Sequence, residues 1–237
     1  EVQAELRQEG FTAVVDLHHN LRTWQLRWAL RGIPFYRFDK LNWKKWLLVN
    51  WKINRMPPVH IVGRYLAAAA PLGVSYDGLG LDYFIPPAEE IDLPTWAETL
   101  TEVAVPWRER VAQGDYIAFV VGAAHQTKRL PTEQIITIGR QFLQPVILLG
   151  GPGEAEEGAR IRREVGEQII NACGKLRLHQ SASIVRQAQA VISHDTGLMH
   201  MAAAFRKPIV SIWGNTVPAF GMDPFYPDGL NRNSSVE

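Results

Sequence analysis

The chain lacks several features that define particular classes of protein. It has one cysteine, Cys173, in 237 residues, so a disulfide framework is excluded and a reducing compartment such as the cytoplasm is expected. No apolar run is long enough for a membrane-spanning helix, and there is no internal repeat and no Asp-x-Asp metal motif. With 46% hydrophobic residues, the chain can still bury the cores of two medium-sized domains.

Acidic residues are scarce in one stretch of the chain. The net charge is only +1, but Arg22 to Arg64 holds ten basic residues against one acid, Asp39, and five of the eight tryptophans. Basic residues interleaved with tryptophan suit an anionic amphiphile or a membrane surface. Single-stranded nucleic acid fits the same chemistry, and so does a solvated basic face with tryptophans packed beneath it.

Apolar runs alternate with helical patterns along the chain, which predicts an α/β fold with a parallel sheet and helices on both faces. Pro106 is expected to break the helical stretch 94–113 or to start a second helix. The domain boundary is expected between Pro86 and Asp115. The predicted strands are 11–17, 33–38, 116–121, 145–149, 190–193 and 208–213, and the other helices are 23–30, 43–50, 60–70, 132–143, 154–168, 181–188 and 197–205.

The most informative pattern is residues 191–204, where an apolar strand ends in a tight turn and a helix begins at once. Free backbone N–H groups and the helix dipole make such a turn suitable for phosphate. Asp195 adds a carboxylate there, although a plain helix N-cap would explain it as well. His200 lies one helical turn after Gly197 and can face the same ligand, although a structural histidine is the simpler alternative.

This pattern resembles the nucleotide-sugar site of glycosyltransferase family 9, the bacterial lipopolysaccharide heptosyltransferases. The family pattern is Asp-(Ser/Thr)-Gly-x-x-His-x-x-Ala-Ala, then Pro, an apolar strand and Gly-x-Thr-x-Pro. Every element is present in order, and the segments 14–22, 116–131, 145–154 and 171–178 also resemble the family. The residues that carry the pattern are Asp195, Thr196, Gly197, His200, Ala203, Ala204, Pro208, Gly214, Thr216 and Pro218.

The resemblance implies two Rossmann-like domains facing a cleft, which is the GT-B architecture. Residues 1–95 would form the acceptor-side domain and 110–237 the nucleotide-sugar-binding domain, both incomplete. Family members begin with a strand and a turn that supplies the catalytic base, so we expect that base upstream of Glu1. Asp16 is then expected to order its loop rather than to act as the base.

The resemblance also assigns the donor site. Lys128 would neutralise the departing diphosphate, with Asp195 and His200 as the other catalytic candidates. Ala123 and Ala124 stand where some family members have hydroxyl residues, so only backbone contacts are expected there. Either Glu154 or Glu156 would accept the ribose hydroxyls, and the spacing from Asp195 favours Glu156. The remaining donor candidates are Leu176 and Leu178 for the adenine, which are equally suited to a core, and Thr196 and Gly197 for the diphosphate.

Acceptor candidates follow the first strand or lie in the basic stretch. They are Asp16, His18, Asn20, Arg22, Lys40, His60, Arg64 and Tyr65.

The implied activity is inverting transfer of a heptose or related sugar from an ADP-sugar to a lipopolysaccharide core or lipid A acceptor. Neither a metal nor another cofactor is expected. The implied location is the cytoplasm, with peripheral contact to the inner membrane and no nucleic-acid partner. Three alternatives remain open. They are a sugar-nucleotide epimerase of the same architecture, a nucleotide- or saccharide-binding remnant without catalysis, and a nucleic-acid binder that uses the stretch 22–64.

Overall fold

The computed structural model describes residues 2–123, 125–214 and 216–236 and divides the chain into two units. The first runs to Gly78 and includes Ala219–Met222, and the second comprises Leu79–Pro218 and the residues from Asp223 onward. This division lies upstream of the segment between Pro86 and Asp115 in which the sequence places the boundary. The reason is that Leu93 and Ala97 pack into the core of the second unit.

Within its described residues, the first unit contains two parallel strands and four α-helices. Val14 pairs with Phe35 in the register of the two strands. The helices and strands predicted for this part of the chain are all present, and both strands are shorter than expected. In chain order they are α1 (Val2–Gln8), β1 (Val14–Asp16), α2 (Leu21–Ala29), β2 (Phe35–Arg37), α3 (Asn42–Trp51) and α4 (Ile61–Ala69).

The second unit is built on a six-stranded sheet in which all paired strands are parallel. Its elements are α5 (Leu93–Glu98), α6 (Val105–Ala112), β3 (Ile117–Val120), α7 (Thr132–Gly139), β4 (Val146–Leu149), α8 (Ala155–Val165), β5 (Ile169–Asn171), α9 (Leu178–Gln187), β6 (Ala190–His194), α10 (Gly197–Ala204), β7 (Ile209–Ile212) and β8 (Asn233–Val236). The strand order is β5-β4-β3-β6-β7-β8, the doubly wound order of dinucleotide-binding domains.

Alternate residues of the central strands point to opposite faces of this sheet and build two cores. Phe119 and Leu148 pack with apolar residues of α7 and α8. Ala118 and Ile147 pack with those of α9 and α10 on the other face. Since both faces are covered by helices, the strands are continuously apolar rather than alternating. The predicted α/β class with a parallel sheet is therefore confirmed.

Two strands were not predicted. The expected helix 154–168 ends at Val165, because Gly166 adopts φ +132°, and β5 follows within three residues. The edge strand β8 is mostly polar, Asn-Ser-Ser-Val, and is joined to β7 by backbone pairing, which leaves no apolar pattern to detect. The stretch 94–113 forms two helices, and Pro106 lies in the first turn of the second, where its missing N–H costs nothing.

The described helices are all too short or too polar to cross a bilayer.

We expect Leu148→Ala to lower the free energy of unfolding of the second unit by about 2–5 kcal/mol, because it leaves a cavity in a fully buried core. Urea unfolding followed by circular dichroism measures this loss. The matched control is Leu143→Ala, since Leu143 is 83% exposed and its truncation should change the stability by less than about 0.5 kcal/mol. Equal losses for the two variants would contradict the placement of β4 at the centre of the core.

Candidate functional site

A cavity of about 630 Å³ lies at the carboxyl ends of β3, β4 and β6. The strand order reverses direction between β3 and β6, and open α/β sheets bind ligands at such a point. Turns that follow all three strands form the wall, and the start of α9 and of α10 completes it. The lining residues include Gly122, Ala123, Gly150, Gly151, Glu154, Leu176, Leu178, Ser181, Asp195, Thr196, Gly197 and His200.

Asp195 connects three loops at this cavity. Its Oδ2 accepts hydrogen bonds from Lys128 Nζ at 2.6 Å and from Thr216 Oγ1 at 3.1 Å. The Asp195 side chain is 5% exposed and that of Lys128 is 20% exposed, so the pair is largely shielded from water. Lys128 follows β3, Asp195 follows β6 and Thr216 follows β7. One carboxylate therefore holds together the ends of three strands.

The N-cap residue of α10 is Thr196, not Asp195, so the plain N-cap explanation of Asp195 is wrong. The Thr196 side chain makes no capping hydrogen bond to the helix. Gly197, the first residue of α10, adds no side chain at the cavity wall. This first turn therefore presents backbone N–H groups and the positive end of the helix dipole to the cavity, as phosphate binding requires.

Gly214 allows the loop after β7 to lie directly against the loop that carries Lys128. A Cβ atom at this position would lie 2.4 Å from the carbonyl oxygen of Thr127 and 3.1 Å from Cα of Lys128. No side chain fits such a gap without displacing the backbone of the Lys128 loop. Gly214, the glycine of the Gly-x-Thr-x-Pro pattern, thus has a steric role. Thr216, the threonine of the same pattern, donates a hydrogen bond to Asp195.

A second ion pair joins the turns after β3 and β4. Arg129 Nη2 donates to Glu154 Oε1 at 2.5 Å and to the carbonyl oxygen of Ala123 at 2.8 Å. The backbone N–H of Gly151 donates to Glu154 Oε2 at 2.8 Å. Both carboxylate oxygens of Glu154 are therefore engaged. Arg129 was not among the predicted site residues. The one feature of the sequence that could have indicated it is that it is a second cation directly after Lys128.

His194 stabilises the loop that carries Lys128 and Arg129. It is fully buried, and its Nε2 accepts a hydrogen bond from the backbone N–H of Leu130 at 2.8 Å. Burial lowers the pKa of His194 to about 4, so the ring is neutral at physiological pH. It anchors the end of the Lys128 loop to β6. The sequence patterns do not predict this role for His194, although it directly precedes Asp195.

The structure brings most of the predicted donor residues to one cavity. Ala123, Glu154, Leu176, Leu178, Asp195, Thr196, Gly197 and His200 line it, and Lys128 meets it through Asp195. Ala124 lies outside the described residues. Glu156 is exposed and borders a neighbouring open depression of about 780 Å³ that Arg129 also borders. Which of Glu154 and Glu156 contacts a ribose stays a prediction.

Asp16 and Asn20 have local structural contacts in the first unit. The Asp16 Oδ1 accepts hydrogen bonds from the backbone N–H groups of His18 at 2.9 Å and His19 at 2.7 Å. Burial alone would raise the pKa of Asp16, but these hydrogen bonds hold it below its ordinary value. Asn20 caps α2 through the N–H groups of Arg22 and Thr23. The side chains of His18 and Arg22 are exposed.

A cluster of positive charges lies around the buried Arg64 in the first unit. Arg64 is 8% exposed, and its Nη2 donates to the carbonyl oxygen of Phe220 at 2.7 Å. Its Nε and Nη1 are buried without a hydrogen-bond partner among the described residues. Burial lowers the pKa of Lys45, and the nearby charges of Arg64 and Lys40 lower it further. Lys40 and Arg64 were predicted acceptor residues, whereas Lys45 was missed.

The two remaining acceptor candidates serve the first unit locally. His60 caps α4, since its Nδ1 accepts from the backbone N–H of Val62 at 3.1 Å. Tyr65 packs against Phe38, with ring centroids 4.6 Å apart.

The positive cluster of Lys40, Lys45 and Arg64 can bind an anionic group. Such a group would pair charges that are costly to bury alone.

The sequence is similar to those of known heptosyltransferases. The chain is 27% identical over 216 residues to lipooligosaccharide heptosyltransferase 2 of Haemophilus influenzae, which covers 79% of this chain and 58% of that protein. The chain therefore spans less than two thirds of that relative's length.

Two solved structures share the fold. A family 9 glycosyl transferase from Veillonella parvula superposes with a TM-score of 0.69 at 22% identity, covering all of this chain and 65% of that one. The E. coli heptosyltransferase WaaC with ADP gives a TM-score of 0.61 at 20% identity, covering 98% of this chain and 68% of that one. The family model for glycosyltransferase family 9 (heptosyltransferase) matches residues 1–227, so the chain belongs to this family.

Proposed function

We propose that this chain carries the donor site and part of the acceptor site of an inverting glycosyltransferase. It would move a heptose or related sugar from an ADP-sugar to a lipopolysaccharide core or lipid A acceptor. The observation that carries the proposal is the cavity at the strand-order reversal, with the Lys128–Asp195 pair beside the first turn of α10. The related WaaC enzyme with bound ADP supports adenine as the base of the donor.

In this proposal the diphosphate lies between Lys128 and α10. The backbone N–H groups of Gly197 and of the turn at Gly122 would bind its oxygens, and Leu176 and Leu178 would cover the adenine. As the bond from the anomeric carbon to the diphosphate breaks, its electron pair leaves with ADP. Lys128 and the helix dipole would stabilise that charge, so the proposal requires no metal.

The acceptor hydroxyl would attack the anomeric carbon from the face opposite the departing diphosphate and lose its proton to a carboxylate base. Asp16 is a poor candidate for that base, because the hydrogen bonds that it accepts keep its pKa low. We assign the base to no residue of this chain. Lys40, Lys45 and Arg64 would bind anionic groups of the acceptor, since the buried Arg64 nitrogens otherwise stay unsatisfied.

The epimerase alternative is less well supported. It needs carboxylates that are available for chemistry at the cavity, and the two that line it, Asp195 and Glu154, are both held in ion pairs. The second alternative, a binding remnant without catalysis, predicts the same nucleotide affinity as a transferase. A transfer assay on a form of the protein that includes an upstream base would separate the two.

We expect the chain to bind ADP more tightly than UDP or GDP, and we expect Lys128→Ala and Asp195→Ala each to weaken ADP binding roughly 10- to 100-fold. The first variant removes a charge-assisted contact to the diphosphate, and the second releases Lys128 and Thr216. Isothermal titration calorimetry measures the affinities. The matched control is Lys175→Ala, a 60% exposed lysine of the same unit, which should bind ADP as the unsubstituted chain does. Equal affinity for the three nucleotides would contradict the ADP assignment.

The roles of Glu154 and Glu156 in ribose binding can be distinguished by measuring the affinity of a variant of each residue for ADP and for 2′-deoxy-ADP. We expect Glu156→Gln to abolish the preference for ADP over 2′-deoxy-ADP, because the spacing from Asp195 favours Glu156 as the residue that binds the ribose. Glu154→Gln should weaken both nucleotides equally, since it breaks the Arg129 pair that holds the turn at Ala123. Calorimetry on each variant gives the difference in binding free energy between ADP and 2′-deoxy-ADP, which measures how each glutamate is coupled to the 2′-hydroxyl. A preference that survives in Glu156→Gln and disappears in Glu154→Gln would reverse the assignment.

A further inference from the structure

One side of the donor cavity depends on the beginning of α9. Leu176 and Leu178 line the cavity there, and Ser181 lines it about one helical turn after Leu178. We refer to these three residues as the base wall, because Leu176 and Leu178 would cover the adenine. Leu178 is the first residue of α9 and is 57% exposed. Helix ends fray when few contacts hold them, so the base wall depends on contacts from outside the helix.

The residue before Leu178 is bound by the segment 79–91, which precedes α5. Arg177 Nε lies 3.0 Å from Glu89 Oε2. The Glu89 side chain is only 19% exposed, although that of Arg177 is 69% exposed. Partial burial of the carboxylate makes the pair less screened by solvent than one between two exposed side chains. This ion pair ties the base wall to the segment 79–91.

The residue after Leu178 is bound by the same segment. The hydroxyl of Tyr83 and Nδ1 of His179 form a hydrogen bond of 2.9 Å, and the centroids of the two rings lie 5.7 Å apart. The Tyr83 ring also packs edge-on against Phe205, with centroids 5.9 Å apart at 88°. Because this packing limits the orientations of the ring, the hydroxyl is held towards His179. Leu178 therefore lies between two residues that are both bound by one segment.

The segment 79–91 is itself anchored to α9. Ser183, a fully buried residue of that helix, donates to Glu90 Oε1 at 2.5 Å and accepts from the backbone N–H of Ile91 at 3.0 Å. Gln187 Nε2 donates to the carbonyl oxygen of Ile91 at 2.9 Å. These contacts fix the position of the segment along the helix. The two contacts with the start of α9 are therefore made by a segment that is held in place.

We propose that Tyr83 and Glu89 are positioning residues, which hold the base wall against the nucleobase of the donor. The inference rests on the proposed donor site and deepens it. Attraction between a leucine side chain and a base falls steeply once a gap opens between them, so a small displacement of Leu178 would weaken base binding. The two contacts involve Arg177 and His179, and neither involves a loop that would bind the diphosphate. Tyr83 and Glu89 therefore act on the base and leave the diphosphate contacts unchanged.

The test compares the affinities for ADP and for inorganic pyrophosphate by isothermal titration calorimetry. Pyrophosphate has the charged groups of the diphosphate but no base. We expect Tyr83→Phe to weaken ADP binding about three- to tenfold, because it removes one hydrogen bond and keeps the ring against Phe205. Glu89→Gln should weaken ADP binding about two- to fivefold, since its partner is exposed. Neither variant should change the affinity for pyrophosphate, whereas Lys128→Ala should weaken the binding of both ligands.

Leu178→Ala shows whether Tyr83 acts through the base wall. This variant should weaken ADP binding and leave pyrophosphate binding unchanged. Tyr83→Phe added to Leu178→Ala should cause little further loss of ADP affinity, because the side chain that Tyr83 positions is then absent. Two residues that act independently would instead give losses of binding free energy that add.

Two control variants remove similar contacts elsewhere in the second unit. Tyr226→Phe deletes the hydrogen bond to the carbonyl oxygen of Lys207, and Asp115→Asn weakens the ion pair with Arg110. Both should bind ADP and pyrophosphate as the unsubstituted chain does. Thermal unfolding followed by circular dichroism measures the stability of each variant, which separates a general loss of stability from an effect on the base wall.

The results distinguish this inference from the proposed function. ADP binding that weakens in Leu178→Ala but not in Tyr83→Phe and Glu89→Gln would overturn the inference and leave the proposed donor site intact. Equal weakening of ADP and pyrophosphate binding by Tyr83→Phe and Glu89→Gln would also overturn it, because the effect would then extend beyond the base. An unsubstituted chain that binds neither ligand would contradict the proposed function, and the inference would fail with it.

Discussion

The buried ion pair between Lys128 and Asp195 is the interaction on which the candidate site depends. Two charges that are largely removed from water are stable there only while each keeps its partner. Asp195 also accepts from Thr216, so the loops after β3, β6 and β7 share one carboxylate. The close approach at Gly214 and the His194 contact to Leu130 hold the same loop in place. Together these contacts position a cation and a helix N-terminus at one point before any ligand is bound.

Positive charge is distributed differently in the two units. In the second unit the site cations are paired, Lys128 with Asp195 and Arg129 with Glu154. In the first unit Arg64 is buried, and two of its nitrogens have no hydrogen-bond partner within the described part of the chain. The adjacent Lys45 has a lowered pKa. Paired cations suit a pocket in which geometry must be kept. Unpaired cations suit a surface that gains stability when an anion arrives. This contrast is what the proposal expects, with the proposed donor site in the second unit and the proposed binding of an anionic acceptor by the first.

The sequence was most informative where local pattern and tertiary environment agree. Continuous apolar strands covered on both faces by helices, as at β3, β4 and β6, predicted the parallel sheet. The motif that ends β6, together with the other segments that resemble the family, predicted most residues of the cavity. Prediction failed for β8, which is mostly polar and is held to β7 mainly by backbone pairing, and for β5, a strand of only three residues that follows α8 after a short turn. Arg129, Lys45 and His194 were missed because their partners are distant in the chain, as Glu154 is from Arg129.

The amino-acid sequence by itself determined the fold class, the family and the turn that faces the cavity, because these depend on periodicity and on residues that are close together in the chain. The tertiary structure alone decided which charges are paired. It showed that Asp195 holds three loops together rather than capping α10. Both oxygens of Glu154 accept hydrogen bonds, whereas Glu156 is exposed. Arg64 is buried with two nitrogens that lack a hydrogen-bond partner among the described residues. Ion pairing and burial depend on which distant segments meet, and no local pattern records that.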